Sequence, residues 1–88
     1  MTSRQLTVVN ELGLHARAAA RFVSVASRFR SQIRVTRGQR TMDGKSVLGL
    51  LLLAAARGSE LTISADGPDE AQAVAALGSL VERGFEET

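Results

Sequence analysis

The stretch Gly13-Leu14-His15-Ala16-Arg17 brings a nucleophile close to a group that binds phosphate, and His15 is the only histidine of the chain. A neutral imidazole is nucleophilic near pH 7, because an ordinary pKa of about 6.5 leaves much of it unprotonated. If a helix begins at Ala16, its first backbone N–H groups have no intrahelical partner and face the His15 ring. The Arg17 guanidinium can hold two phosphate oxygens at once. The stretch therefore predicts a transiently phosphorylated histidine, whose phosphate contacts the Arg17 side chain and the backbone N–H groups of Ala16 and Arg17.

The alternative is that His15 has only a structural role, because a lone histidine is more often a surface or capping residue than a reactive one. Three features favour the reactive interpretation. His15 follows a glycine that frees the backbone, lies at the start of a predicted helix, and precedes an arginine by two positions.

The elements around this stretch place it on a strand-to-helix turn. Residues 6–9 are β-prone and predict a first strand, and residues 10–13 form the loop that leaves it. A helix is predicted from Ala16 to about Phe29, since apolar residues recur there at helical spacing. Its predicted core face is Ala19, Phe22, Val23, Ala26 and Phe29, and its predicted solvent face is Arg17, Arg21, Ser24 and Arg28.

The rest of the chain predicts three more strands and two more helices. Residues 32–36 and 41–43 form a hairpin around Gly38, and residues 61–66 alternate cleanly as a fourth strand. Ser46 caps a helix over residues 47–53, with Leu50 and Leu53 in the core. Asp69 caps the last helix, paired with Gln72 as in a capping box. The predicted buried face of that helix is Ala71, Val74, Ala75, Leu77, Gly78 and Val81, and Gly84 with Phe85 ends it.

This order, βαββαβα, predicts a two-layer α+β domain in which helices cover one face of an antiparallel or mixed sheet. A chain of 88 residues makes one domain, residues 1–88. The absence of cysteine and the single histidine exclude disulfides, thiolate metal sites and multi-histidine metal sites. No secretory leader is visible, and the longest apolar run, residues 47–56, is about half of a bilayer span. We therefore expect a cytoplasmic protein with no membrane insertion.

Charge is distributed unevenly along the chain. Residues 1–45 carry eight arginines and one lysine against Glu11 and Asp43, whereas residues 46–88 carry two arginines against seven acids. A basic face near His15 would steer acidic partners toward it. Nucleic acid binding is the alternative. However, tyrosine and tryptophan are absent, the phenylalanines fit apolar faces, and no nucleic-acid-binding motif is present.

A second motif, Gly44-Lys45-Ser46-Val47-Leu48-Gly49-Leu50, lies downstream of the first. The two motifs at this spacing resemble those of HPr, the histidine-containing phosphocarrier of the bacterial phosphoenolpyruvate-dependent sugar phosphotransferase system. The resemblance covers nearly the whole chain. It implies a four-stranded antiparallel sheet of order 1-4-2-3 with three helices on one face. It also implies a carrier, not an enzyme, that needs no metal or cofactor. We expect a monomer.

The resemblance also implies specific roles for individual residues. His15 would accept a phosphoryl group on Nδ1 from enzyme I and pass it to enzyme IIA proteins, with Arg17 stabilising the phosphoryl group. Ser46 would be a regulatory site for an HPr kinase/phosphorylase, with Lys45 favouring the added charge. Val47, Leu48 and Leu51 would form an apolar docking patch, although all three could instead belong to the core.

Two departures from the family pattern bear on function. Ala18 stands where the family usually has proline, and Leu48 and Leu51 stand where methionine is frequent. Alanine restores a backbone donor near the phosphate, and leucine adapts to fewer partners than methionine does. An alternative is the carrier of the nitrogen-related phosphotransferase branch, which would share His15 and Arg17. Ser46 together with Lys45 favours the sugar branch.

Overall fold

The computed structural model describes residues 1–86, which form a four-stranded sheet, three helices and a terminal turn. The strands are β1 (Thr2–Thr7), β2 (Gln32–Arg37), β3 (Arg40–Asp43) and β4 (Glu60–Asp66). The helices are α1 (Ala16–Ala26), α2 (Val47–Leu52) and α3 (Glu70–Glu82), and a 3₁₀ turn follows at Gly84–Glu86. The predicted βαββαβα order is confirmed.

The sheet is antiparallel throughout, with strand order β1-β4-β2-β3. Leu6 lies opposite Leu61 on β4, and Val35 on β2 lies opposite Ile63 on β4. Because β4 lies between β1 and β2, the basic first half and the acidic second half of the chain interleave. Arg4 accordingly forms an ion pair with Glu82 at 2.7 Å. The order 1-4-2-3 and the three helices implied by the resemblance are confirmed.

Strand β1 lies earlier in the chain than predicted. It spans Thr2–Thr7, so it includes only Leu6 and Thr7 of the predicted residues 6–9. Apolar alternation marks the buried positions Leu6 and Val8, but backbone pairing with β4 starts at the polar residues Thr2 and Ser3. An edge strand can carry polar side chains along its length, since one face and one edge meet water. The predicted boundary was therefore wrong.

Helix α1 also ends earlier than predicted, at Ala26. The N–H of Arg28 donates to Val25 and that of Phe29 to Ala26, so a tighter turn replaces the helix there. Phe29 still packs against the core. The apolar spacing therefore extends beyond the helix itself.

The core lies between the sheet and the helices, and it contains Phe22, Phe85, Ile33, Leu77 and Leu80 among its largest fully buried side chains. On α3, the prediction that Ala71 and Ala75 are buried was wrong, since both are exposed. Alanine is too small to mark a buried face reliably. The buried residues of α3 are Ala73, Val74, Leu77, Gly78, Leu80 and Val81. Gly84 has a φ of +64° and Phe85 is fully buried, as predicted for the end of this helix.

Asp69 is the N-cap residue of α3, as predicted, but its side chain makes no cap hydrogen bond, so the predicted capping box with Gln72 was wrong. Its carboxylate instead accepts hydrogen bonds from the N–H of Arg30 at 2.9 Å, the N–H of Ser31 at 3.0 Å and the Ser31 hydroxyl. These donors come from the loop between α1 and β2. Asp69 therefore fastens the start of α3 to that loop, a long-range contact that no local pattern could reveal.

These hydrogen bonds make stability depend on pH. The Ser31 hydroxyl, followed by the Arg30 N–H, holds the pKa of Asp69 below its ordinary 3.8. A carboxyl with a lowered folded-state pKa stabilises the protein above its unfolded pKa, and this stability is lost as pH falls through the folded value. We expect Asp69→Asn to be less stable than wild type at pH 7, with the difference shrinking below pH 3.8.

Urea unfolding of both proteins at pH 7, 4 and 3, each at the same ionic strength, measures this difference. Asp66→Asn is a suitable control, because Asp66 is an exposed carboxyl at the end of β4. A difference between Asp69→Asn and wild type that stays constant with pH would contradict the assignment.

Candidate functional site

Three hydrogen bonds fix the loop that leads from β1 to His15. The Gly13 N–H donates to the Asn10 carbonyl at 3.1 Å, and the Asn10 side-chain amide donates back to the Gly13 carbonyl at 2.8 Å. The Leu14 N–H donates to the Ala55 carbonyl at 2.9 Å. Gly13 has a φ of +67°, and a Cβ there would lie 2.5 Å from the Ala55 oxygen. Only glycine fits this position.

His15 is the N-cap of α1, which confirms the predicted helix start at Ala16. Its Nδ1 accepts a hydrogen bond from the Arg17 backbone N–H at 3.3 Å. The helical ladder begins with the Ala19 N–H, which donates to the His15 carbonyl. The amides of Ala16, Arg17 and Ala18 therefore precede that ladder, in the region where a helix attracts anions. The half-buried imidazole lies at this positive end.

The side chains that follow His15 alternate between solvent and core. Ala16 and Arg17 are exposed, as predicted for Arg17, whereas Ala18 is fully buried. The Arg17 side chain is therefore in solvent beside His15. The backbone N–H of the same residue is hydrogen-bonded to His15 Nδ1. Arg21, one turn later on the predicted solvent face, is instead half-buried and donates to the Phe85 carbonyl at 2.7 Å.

Ser46 is the N-cap of α2, as predicted, and its hydroxyl accepts from the Gly49 N–H at 3.0 Å. The Lys45 ammonium donates to the Phe29 carbonyl at 2.7 Å, so its hydrogen bonding is directed to the segment that follows α1. The Asp43 carboxylate accepts from the Lys45 N–H at 2.9 Å. A negative charge as well as a positive one thus lies in the turn before Ser46.

The apolar residues of α2 divide between core and solvent. Leu50 and Leu53 are fully buried, as predicted. Leu48 is 69% exposed and Leu51 is 36% exposed, which places both outside the core. Val47 is half-buried and packs against the core, so it lies at the edge of this surface.

Sequence reasoning missed two exposed leucines and one buried amide. Leu12 in the loop before His15 is 69% exposed, and Leu52 at the end of α2 is 52% exposed. The available signals were an apolar residue within a predicted loop, for Leu12, and a leucine run too apolar to be buried on every side, for Leu52. Asn10 is only 8% exposed, and its role depends on a loop geometry that the sequence does not display.

Comparison with known proteins agrees with this geometry. A family model described as "PTS HPr component phosphorylation site" matches residues 2–83. The chain belongs to the HPr family. It is 45% identical over 87 residues to the phosphocarrier protein HPr of Cupriavidus necator, covering 99% of this chain and 98% of that protein.

Solved structures of the family show the same fold. The crystal structure of HPr-C-His from Thermoanaerobacter tengcongensis superposes with a TM-score of 0.95 at 40% identity, covering 100% of this chain and 99% of that one. An HPr dimer from the same organism has a TM-score of 0.79 at 40% identity, covering 99% of this chain and 100% of that one. The HPr family consists of phosphocarrier proteins of the phosphotransferase system, and its members are carriers and not enzymes. Within residues 1–86, no helix is both long and apolar enough to cross a bilayer.

Proposed function

We propose that this chain is a cytoplasmic phosphoryl relay in phosphoenolpyruvate-dependent sugar uptake. In this relay His15 accepts the phosphoryl group from phospho-enzyme I and passes it to enzyme IIA. The observation that carries the proposal is the position of His15 Nδ1 at the N-cap of α1, 3.3 Å from the Arg17 N–H. An acceptor in hydrogen-bonding contact with a backbone donor has an unprotonated lone pair. Nδ1 is therefore the ring nitrogen able to attack phosphorus.

The transfer step requires neither a metal ion nor a nucleotide. The lone pair of His15 Nδ1 forms a bond to phosphorus as the phosphorus–nitrogen bond of the donor histidine breaks, and that electron pair returns to the donor ring. The His15 proton stays on Nε2. A hydrogen bond of 3.3 Å is at the long end of the range and is readily given up. The Arg17 N–H can then donate to a phosphoryl oxygen, together with the Ala16 N–H and the Arg17 guanidinium.

The direct test is incubation with enzyme I and phosphoenolpyruvate, followed by nuclear magnetic resonance of the product. We expect one acid-labile phosphate per chain, with phosphorus coupled to Nδ1 of His15. Phosphorus bonded to Nε2 would contradict the geometric argument, and phosphate on another residue would refute the proposal.

The preferred acceptor shows to which branch of the phosphotransferase system the chain belongs. Ser46 and Lys45 favour the sugar or carbon-control branch, and the nitrogen-related branch is the alternative. Phosphorylated chain should be offered equal concentrations of a sugar-specific enzyme IIA and of the nitrogen-related enzyme IIA. Faster transfer to the sugar-specific acceptor supports the proposal, and the reverse preference would assign the chain to the other branch.

We propose that Leu48 and Leu51, with Val47 at the edge, form the apolar docking patch for enzyme I and enzyme IIA. Leu48 and Leu51 are both exposed on one short helix, and apolar side chains that share an exposed surface are typical of interaction sites. Each carrier would dock as a monomer, a state that sedimentation of the free chain can test. The exposed Arg17 beside His15 would add electrostatic steering to the rate of encounter.

We expect Leu48→Ala to weaken binding to enzyme I with little change in melting temperature, because the side chain is 69% exposed. Leu50→Ala on the same helix is the matched control. Leu50 is fully buried, and its truncation should cost about 2–5 kcal/mol of stability. Calorimetric titration with enzyme I and thermal unfolding separate the two effects. If Leu48→Ala unfolded as early as Leu50→Ala, Leu48 would be a core residue and not a docking residue.

We propose that Ser46 is a regulatory phosphorylation site, the substrate of an HPr kinase/phosphorylase, as well as a helix cap. Added phosphate would place negative charge beside the docking patch, where the Asp43 carboxylate already lies in the preceding turn. The Lys45 ammonium is directed to Phe29, so it offsets that charge only from a distance. Like charge would therefore disfavour an acidic partner surface.

We expect Ser46→Asp to slow enzyme I-dependent phosphorylation of His15 several-fold, because it mimics part of this charge. Ser46→Ala should keep the wild-type rate but lose about 0.5–2 kcal/mol of stability with the cap. Initial labelling rates at matched concentrations measure the first effect, and urea unfolding measures the second. Equal labelling rates in all three proteins would leave Ser46 as a helix cap only.

A further inference from the structure

The backbone that delivers His15 is held at two successive residues. At Gly13, the N–H donates to the Asn10 carbonyl and the carbonyl accepts from the Asn10 side-chain amide at 2.8 Å. At Leu14, the N–H donates to the Ala55 carbonyl at 2.9 Å. His15 is the next residue. Of these contacts, only the one from Asn10 Nδ2 is made by a side chain, so it alone can be removed by substitution without altering the backbone.

Asn10 is an unusual residue for this position on physical grounds. It is 8% exposed in a region whose other buried residues are apolar, such as Val8 and Leu14. Burying an amide is costly unless it forms hydrogen bonds, and an apolar residue of similar size would avoid that cost. The structure shows its side-chain amide donating to the Gly13 carbonyl. A buried polar group that bonds to a loop carbonyl indicates that the shape of the loop matters.

The glycine makes that contact necessary. Gly13 has a φ of +67°, and its backbone lies against the Ala55 carbonyl so closely that a Cβ would be 2.5 Å away. Glycine is the residue with the most conformational freedom, so a loop that requires it needs fixing by other groups. Asn10 fixes it from the β1 side and Ala55 fixes it from the end of α2.

We propose that Asn10 is a positioning residue for phosphoryl transfer, holding the Gly13 carbonyl so that the His15 ring keeps Nδ1 at the N-cap of α1. This inference rests on the proposed role of His15 as acceptor. Asn10 makes the reactive geometry a property of the free protein, so the geometry need not be formed on docking. Reactions between a bound donor and acceptor are sensitive to displacements of about 1 Å, which can cost about 100-fold in rate.

Two variants of Asn10 test the contact together. Asn10→Asp keeps the size and shape of the side chain and the packing of its Cβ near Gly84, but it lacks the N–H that the Gly13 carbonyl accepts and adds a negative charge. Asn10→Ala removes the side-chain contact without adding charge, so an effect that both variants share is due to the lost N–H. Val35→Ala is the control for lost stability, because Val35 is fully buried on β2 and lies outside the loop.

Single-turnover transfer from phospho-enzyme I, measured over a range of its concentration, separates docking from chemistry. We expect both Asn10 variants to lower the maximal rate about 10-fold or more, with a nearly unchanged half-saturating concentration, because the docking leucines remain. The ring chemical shifts of His15 in the free protein should move as well. Val35→Ala should keep the wild-type maximal rate and ring shifts at a temperature where it is folded.

The outcomes distinguish this inference from the proposed function. A wild-type maximal rate and unchanged His15 ring shifts in folded Asn10→Ala would overturn the positioning role while leaving His15 as acceptor. If the wild-type chain gained no phosphate on His15, the proposed function would fail. The ring shifts, which do not require enzyme I, would then decide whether Asn10 fixes the imidazole. An equal loss of rate in Val35→Ala would attribute the effect to stability and overturn the inference.

Discussion

His15→Ala is expected to abolish phosphorylation of this chain by enzyme I and phosphoenolpyruvate. The imidazole is the only one in the chain, so no second ring nitrogen can accept the phosphoryl group. The fold should survive, because His15 is half-buried at a helix end and not among the core residues. Loss of the contact from the Arg17 N–H removes a cap, which costs about 0.5–2 kcal/mol. Incorporation of radioactive phosphate and intact mass measure the result.

His15→Asn separates chemistry from capping. Asparagine is among the preferred N-cap residues, so this variant should recover the stability that His15→Ala loses. It has no nucleophilic ring nitrogen and should remain unphosphorylated. Labelling of either variant at the wild-type rate would show that another residue is the acceptor.

Local sequence patterns predicted the parts of the site that depend on neighbours in the chain. The helix start at Ala16 and the Ser46 cap follow from residues within one helical turn, and both were confirmed. The division of α2 into buried Leu50 and exposed Leu48 was confirmed, but it came from the resemblance to the family, because the leucine run is apolar on every side of the helix. The strand order did not follow from periodicity. It came from the resemblance to the family, since pairing of β1 with β4 depends on contacts between distant parts of the chain.

The predictions that failed share this dependence on distant contacts. Asp69 has the residue type of a helix cap, but donors at Arg30 and Ser31 compete successfully for its carboxylate. A helix cap can be predicted from residues three positions apart in the sequence. Donors in another loop that compete for the same carboxylate cannot be predicted in this way. Asn10 illustrates the same difficulty at the site. Its amide contact is local, but its burial and the fit of Gly13 against Ala55 come from the assembled fold.

Removing the guanidinium of Arg17 should slow phosphoryl transfer without disturbing the fold. Its side chain is exposed, and the N–H that contacts His15 Nδ1 belongs to the backbone, so Arg17→Ala retains that hydrogen bond. In the proposed site, the variant loses a charge-assisted contact to the phosphoryl group. Such contacts contribute about 1.5–3 kcal/mol, which corresponds to a rate about 10 to 100 times lower if the contact is made in the transition state.

Two further variants define the cause of that loss. Arg17→Lys keeps the charge but not the planar fork, so it should recover only part of the rate if the fork holds two phosphoryl oxygens. Arg28→Ala removes the same charge from an exposed position beyond the end of α1, and it should slow transfer much less. Single-turnover rates at low and high salt measure all three proteins. Equal slowing by Arg28→Ala would mean that Arg17 acts through the overall positive charge, because a bound phosphoryl group distinguishes the two positions and long-range attraction does not.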